Sequence, residues 1–477
     1  MSPTEQSPPK LAAQIARRIE SDVVAAGWPV GTVVGSEPAL QERYGVSRAV
    51  LREAVRIVEH HQVARMRRGR SGGLIVSAPE VTAFAQALAV YLTSVRTTES
   101  QVMQARLLLE PTAAGMAAKA ITEEGISELR AALSREGPQS SAGSDAVRNG
   151  LHVALGRLSG NPAIAVFIEV LNLLSWHRID EHVAVQPKKP KLYAEAHEAH
   201  RRIADAVIAG DTALAETRVA KHLRALATWF ENTERRRRKP VLTTTRRLND
   251  TTTDKIAEVS AHQIFEDIVA DGLPEGTLLG AEPELLKRYG LSRSAFREAV
   301  RLLEYHSVAR MQRGRGGGLV VSRPDPRASV EAMALYLEYR GIDYESLRAV
   351  RDIFELGCIE IVTTRRDEPE VRRRLTAALQ VGPETAPADL EPLSRLFHVE
   401  FVALTENPVL VLLQDILMTL SNRHIAGPNT GPGRYNNKAA ALDIAKVHGG
   451  IAEAILDGDA GLAKHRMRRH LEALTKE

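Results

Sequence analysis

Apolar side chains recur every three or four positions over most of this 477-residue chain, and the interruptions fall at matching places in its two halves. Leu11, Ile15, Ile19 and Val23 make one stripe and predict a helix over Leu11–Ala26. GWPVGT follows as a turn. Glu37–Tyr44 reads as a short helix with Pro38 tolerated in its first turn. Gly45 ends it where a tight interhelical turn is needed. Ser47 then caps a helix whose buried face is Leu51, Ala54, Val55 and Val58, with Arg48, Arg52 and Arg56 at four-residue steps along another face. Val63–Arg68 alternates apolar and basic residues as a half-buried strand does; GRSGG is a glycine-rich tip and LIVS a second strand. The pattern is a helix-turn-helix followed by a hairpin wing.

The same pattern returns 245 residues later: Gly45–Ser77 and Gly290–Ser322 agree at 22 of 33 positions. The correspondence continues beyond the motif. Arg106 and Glu110 match Arg351 and Glu355, Asn161-Pro162 matches Asn407-Pro408 at an offset of 246, and His200 and His222 match His448 and His470 at 248. A repeat this long is not a solenoid unit; it is a whole two-domain protein written twice. After each wing the helical period takes over with no strand alternation, which predicts an all-α bundle of six or seven helices per copy. The expected fold class is mainly α, with two winged helix-turn-helix domains and two helical bundles in tandem. The expected order is a flexible tail 1–10, a winged domain 11–79, a helical domain 80–232, a basic linker 233–253, a second winged domain 254–323 and a second helical domain 324–477.

Composition narrows the class. Aromatics are only 4%, so the cores rest on aliphatic side chains, which favours helices. One cysteine, Cys358, excludes a disulfide framework and fits a reducing compartment. The first residues lack the apolar core of a signal peptide, and no apolar run approaches the roughly 18 residues that span a bilayer. A cytoplasmic protein without a membrane partner is expected. The net charge of +4 is concentrated: residues 11–77 carry ten Lys/Arg against six Asp/Glu, and residues 231–255 carry eight against four. Basic character beside the first winged motif and in the connector suits a polyanion.

The arginines give the anion a shape. A helix with a free first turn and Arg48, Arg52 and Arg56 along one side fits a major groove, where arginine chelates guanine. Ser47 and the helix N-terminus suit a backbone phosphate. Gly69 and Arg70 at the wing tip suit an adjacent minor groove. The second copy offers Ser292, Arg293, Arg297 and Arg301, with Gly314 and Arg315 on its wing. A nucleotide-binding glycine loop is excluded, because no Gly-Lys-Ser/Thr follows and the glycines sit between strands.

SEPALQERYGVSRAVLREAVRIVE with GRSGG resembles the winged helix-turn-helix of the GntR superfamily of bacterial transcription regulators, and both copies match. Pro38 and Pro283 depart from the pattern, where many relatives carry a polar or basic residue that in some touches DNA. The order of the later helices resembles the FadR-like, FCD branch of that superfamily. That resemblance implies a helical ligand sensor and dimerisation surface. It also implies a divalent metal such as Zn or Ni in one or both helical domains, held by His152, His200 and His222 and by His398, His448 and His470. The family's aspartate, four residues before the first histidine, is replaced by Arg148 and by Ser394, and Asp145 lies two turns from His152.

Arg106 and Arg351 suit a small anionic effector, of carboxylate or acyl type, or an ion pair with Glu110 and Glu355 one turn on; the ion pair is the preferred reading. No HExxH motif and no nucleophile elbow appears, so no enzymatic activity is expected. Helix-turn-helix regulators present two recognition helices to successive major grooves. This chain carries both, so it is expected to act on a double-stranded operator either as an intrachain pseudo-dimer or as a homodimer presenting four winged domains. Repression is the expected outcome. Differences at Val50/Ala295, Leu51/Phe296 and Arg67/Gln312 point to an imperfect palindrome. The alternative from another class is a non-specific architectural DNA-binding protein without effector response.

Overall fold

The computed structural model describes residues 11–136, 150–184, 189–236, 255–379, 397–425 and 438–473, apart from Arg68, Arg70, Ser71 and Arg315. The expected tail 1–10, most of the connector 233–253, the wing-tip arginines Arg70 and Arg315, and Arg148, Asp145 and Ser394 lie outside the described residues.

The first winged domain runs α1 (Leu11–Ala25), β1 (Val33–Gly35), α2 (Glu37–Tyr44), α3 (Arg48–His60), β2 (Ala64–Arg67) and β3 (Gly73–Val76). Ser36 and Ser47 cap α2 and α3 by accepting from Ala39 N and Val50 N. Gly45 ends α2 at φ +64°, a left-handed conformation that favours glycine. The apolar stripe of α1 is Ile15, Ile19 and Val23; Leu11, at its first residue, is 53% exposed and belongs to no core. The turn GWPVGT is followed by a strand that alternation did not predict. β1 pairs antiparallel with β3, Val33 opposite Ile75, and gives the sheet order β1-β3-β2. Three residues are too few to show a period.

The first helical domain follows as α4 (Val81–Ser94), α5 (Glu99–Lys119), α6 (Glu123–Arg135), α7 (Leu151–Leu158), α8 (Pro162–Ala184), α9 (Lys189–Ile208) and α10 (Thr212–Arg236). Its core joins Met103, Ala114 and Ala118 of α5 to Leu129, Leu155, Ile203, Val207, Val219 and Leu223. The helix α10 continues to Arg236, into the first residues of the expected connector.

The second copy repeats the order: α11 (Lys255–Ala270), β4 (Leu278–Gly280), α12 (Glu282–Tyr289), α13 (Arg293–Tyr305), β5 (Ala309–Gln312) and β6 (Gly318–Val321). Then come α14 (Arg327–Tyr339), α15 (Tyr344–Thr364), α16 (Pro369–Leu379), α17 (397–403), α18 (Pro408–Ile425), α19 (Lys438–Leu456) and α20 (Ala460–Ala473). The molecule is mainly helical with two small antiparallel sheets, as the periodicity predicts. Among the described residues no helix is long and apolar enough to cross a membrane.

Two compact units divide the chain, and their boundaries do not follow the repeat. The first is Met1–Phe84 with Ala332–Ile342. Within it, Leu335 of α14 enters the first winged core, and the Tyr339 ring lies 5.3 Å from that of Trp28. The second is Ala85–Glu331 with Asp343–Glu477. Within it, Val90 of α4 packs on the second winged core beside Ile264, Phe296 and Leu303, and Arg96 donates to Gly272 O at 3.3 Å. Each winged core is thus completed by a helix of the other copy. Apolar periodicity shows that α4 and α14 have a face to bury, but not against what.

The two helical domains also touch within the second unit. Asn161 Nδ2 donates to Ser346 O at 3.2 Å, and Asn407 Nδ2 donates to Gln101 O at 2.9 Å. Asn161 matches Asn407 and Gln101 matches Ser346, so the two bonds exchange when the copies exchange. Phe167 and Phe354 meet edge to face with centroids 6.4 Å apart. A contact that maps onto itself in this way has the character of a two-fold interface.

Candidate functional sites

The exposed face of α3 carries Arg48, Arg52 and Arg56, and that of α13 carries Arg293, Arg297 and Arg301. The faces follow from packing, since Leu51, Ala54, Val55 and Val58 in one helix and Phe296, Ala299, Val300 and Leu303 in the other are buried. Ser47 and Ser292 sit at the exposed N-termini of these helices with their oxygens engaged as caps. Gly69 and Gly314 take left-handed φ values of 117° and 110° in the wing turns.

The two arginine faces differ. In the first copy Glu37 gathers two of them: Arg48 Nε donates to Oε1 at 3.0 Å, and Arg52 Nε donates to the same oxygen at 2.8 Å. These bonds hold the Glu37 carboxyl down to about 2. Both guanidiniums stay well exposed, at 63% and 59%. In the second copy Glu282 stands in the place of Glu37, yet Arg293 and Arg297 form no ion pair among the described residues; Arg301 pairs with Glu298 one turn away.

The six histidines singled out from the sequence form two clusters of three. His152 of α7, His200 of α9 and His222 of α10 bring their Nε2 atoms together, with 3.1 Å from His200 to each of the other two. His398 of α17, His448 of α19 and His470 of α20 do the same, with His470 3.1 Å from His448 and 3.3 Å from His398. Behind the nitrogens stand carboxylates. Glu110 Oε2 lies 2.6 Å from His152 Nδ1, Glu136 Oε2 2.5 Å from His200 Nδ1, and Glu355 Oε2 2.8 Å from His398 Nδ1.

Burial opposes the charge on Glu110, but Arg106 and His152 hold its pKa down to about 2. Burial likewise opposes Glu355, which His398 and Arg351 hold down to about 2. An ionised carboxylate only accepts, so each paired Nδ1 carries a proton and donates it, which turns the matching Nε2 toward the cluster. Burial also keeps the other imidazoles neutral: it lowers His222, with the adjoining histidines adding to the effect, and lowers His470 to about 3. In the first cluster the Nε2 atoms of His152 and His200 face each other at 3.1 Å, and those of His200 and His222 do the same. Three nitrogens about 2.0–2.1 Å from a tetrahedral zinc ion stand about 3.3 Å apart, so both donor sets fit a divalent ion.

The FCD domain family matches residues 101–225 and 346–473, more than half of the chain, and the gntR family of bacterial regulatory proteins matches residues 11–73. The chain belongs to the GntR-family regulators with FCD domains. It holds the FCD domain twice. It is 28% identical over 197 residues to the HTH-type transcriptional regulator LutR of Bacillus subtilis, covering 40% of this chain and 89% of that protein. It is 26% identical over 192 residues to the Uxu operon regulator of Haemophilus influenzae, covering 39% and 70%. Among solved structures, Streptococcus agalactiae GntR aligns at 23% identity with a TM-score of 0.33, covering 46% of this chain and 99% of that one. The two relatives similar in sequence are both named as regulators. As a member of the family the chain is a DNA-binding regulator, and its FCD domains are effector-binding.

Within the first FCD domain Arg106 is engaged by neighbouring side chains. Its Nε donates to Glu110 Oε1 at 2.5 Å and its Nη2 to Asn172 Oδ1 at 3.0 Å, with the side chain 2% exposed. The preferred ion pair with Glu110 is what forms. Sequence reasoning placed Glu110 and Glu355 beside arginines but missed that each also holds a histidine. Glu136 was missed entirely: 64 residues from His200, it reads as an ordinary surface charge at a helix end.

Proposed function

We propose that one chain serves one operator: the tandem copies form an intrachain pseudo-dimer that binds DNA sequence-specifically and represses transcription. The reciprocal pair of bonds, Asn161 to Ser346 and Asn407 to Gln101, is the observation that carries this reading, because it is the contact two separate subunits would make across a two-fold axis. In this reading Arg48, Arg52 and Arg56 with Ser47, Gly69 and Arg70 serve one half-site. Arg293, Arg297 and Arg301 with Ser292, Gly314 and Arg315 serve the other. The arginines of α3 exchange Glu37 for guanine edges and phosphates on binding. The protein acts in the cytoplasm.

The histidine clusters His152/His200/His222 and His398/His448/His470 hold a divalent ion, with Glu110, Glu136 and Glu355 orienting the rings. Such an ion supplies a Lewis-acid anchor for an anionic effector. A small carboxylate bound in an FCD domain shifts the population of DNA-competent arrangements. The test is selection of a duplex from random sequence, followed by titration of that duplex against scrambled DNA. A specificity ratio well above one, with a selected site of two related half-sites, is expected. A ratio near one overturns the reading.

A further inference from the structure

Arg106 and Arg351 stand at equivalent positions, but only Arg106 has its partners. In the second copy Arg351 Nε lies 3.7 Å from Glu355 Oε1, an ion-pair distance without a hydrogen bond. Its Nε and Nη2 have no hydrogen-bond partner among the described residues, although the residue is only 9% exposed. Two substitutions account for this. The offset that relates Asn161 to Asn407 places Met418 where the first copy has Asn172, so the amide oxygen that holds Arg106 is gone. It also places Gln414 where the first copy has Ile168. Gln414 Nε2 donates to Glu355 Oε1 at 3.0 Å, engaging the oxygen equivalent to the one Arg106 Nε holds. Gln414 is 1% exposed, and its Oε1 also lacks a partner. Turning the amide over would set that oxygen against the Glu355 carboxylate, so the orientation is fixed.

Buried donors and acceptors are nearly always satisfied, and a buried guanidinium without a full set of acceptors is costly to keep. The unpartnered atoms lie in one connected group, since Arg351 and Gln414 both approach Glu355 Oε1 while Glu355 Oε2 meets His398. We propose that the second FCD domain alone is the effector-responsive one: it takes a small carboxylate on Arg351 beside the histidine cluster, with Gln414 Oε1 accepting from a hydroxyl of the ligand, while the first domain is sealed by its own Glu110 and Asn172. This inference rests on the reading of the FCD domains as anion sensors. It adds which copy senses and by which side chains.

The test uses the full chain supplied with zinc and titrated with acetate, glycolate, succinate and malate, followed by thermal unfolding. The wild-type chain is expected to be stabilised by at least one of these, the hydroxylated acid of each pair binding more tightly. Met418→Asn, and Gln414→Ile with Met418→Asn, rebuild the first copy's arrangement and are expected to weaken binding about tenfold or more. Arg351→Met removes the guanidinium without adding a polar group and is expected to do the same. Asn172→Met is expected to leave the wild-type response in place. If the Met418→Asn and Arg351→Met chains respond like wild type, the assignment to the second domain is overturned while the sensor reading stands. If no carboxylate stabilises the wild-type chain, both are overturned.

Discussion

The two FCD domains share their helix order, their histidine triad and their Arg–Glu pair, yet the first encloses a completed polar network and the second an incomplete one. In the first, Glu110 accepts from Arg106 at both oxygens and meets His152 at the second, and Asn172 also accepts from the guanidinium. In the second, Glu355 keeps its histidine but gives the other oxygen to Gln414. Duplication preserved the charged residues, and two neighbours that look unremarkable in sequence, Met418 and Gln414, changed what those charges are free to do. A charge is defined by its acceptors, so two identical motifs are not two identical sites.

The largest effect that bears on this contrast is expected at the closed network. Glu110→Gln removes the countercharge of a fully buried arginine and is expected to cost about 3–5 kcal/mol in chemical denaturation. Glu355→Gln breaks a looser arrangement and is expected to cost about 1–3 kcal/mol. Equal losses would erase the distinction between the domains. Next comes the exchange of helices between copies. Leu335→Ala is expected to cost about 2–5 kcal/mol and to appear in hydrogen exchange as loss of protection in α1 and α3, in the opposite half of the sequence. Loss confined to the second winged domain would contradict the exchange.

The recognition helices differ in the same manner as the sensors, with a smaller consequence. Glu37→Gln releases Arg48 and Arg52 from a well-exposed pair, so affinity for scrambled DNA is expected to rise about two- to fivefold. Glu282→Gln is expected to leave it unchanged, since no arginine of α13 is held there. The smallest effect is an absence of reaction. Cys358 is buried, and burial pushes its thiol far above the usual range, so a thiol reagent is expected to label it only after unfolding. Rapid labelling of the native chain would mean that α15 opens.

Much of the fold was legible because helices of this length repeat their burial period several times. The face Leu51, Ala54, Val55, Val58 was readable from spacing alone, as was the cap at Ser47. β1 was not, because Val33–Gly35 is too short to show alternation and earns its place only by pairing with β3. The exchange of α4 and α14 was illegible for a different reason: an apolar face specifies that a partner exists, not which copy supplies it. The histidines were legible through resemblance, but the carboxylates behind them come from helices 42 to 64 residues away and carry no local signature. Asn172 and Met418 were invisible, since neither has meaning until the guanidinium is seen beside it or left without it.

One polypeptide is expected to do the work of two subunits. Native mass spectrometry of the full chain with a duplex selected for binding reads this directly. The prediction is a complex of one 52.2 kDa chain per duplex, with the free protein at the same mass. A complex of two chains per duplex, assembled from a dimer already present without DNA, would contradict it.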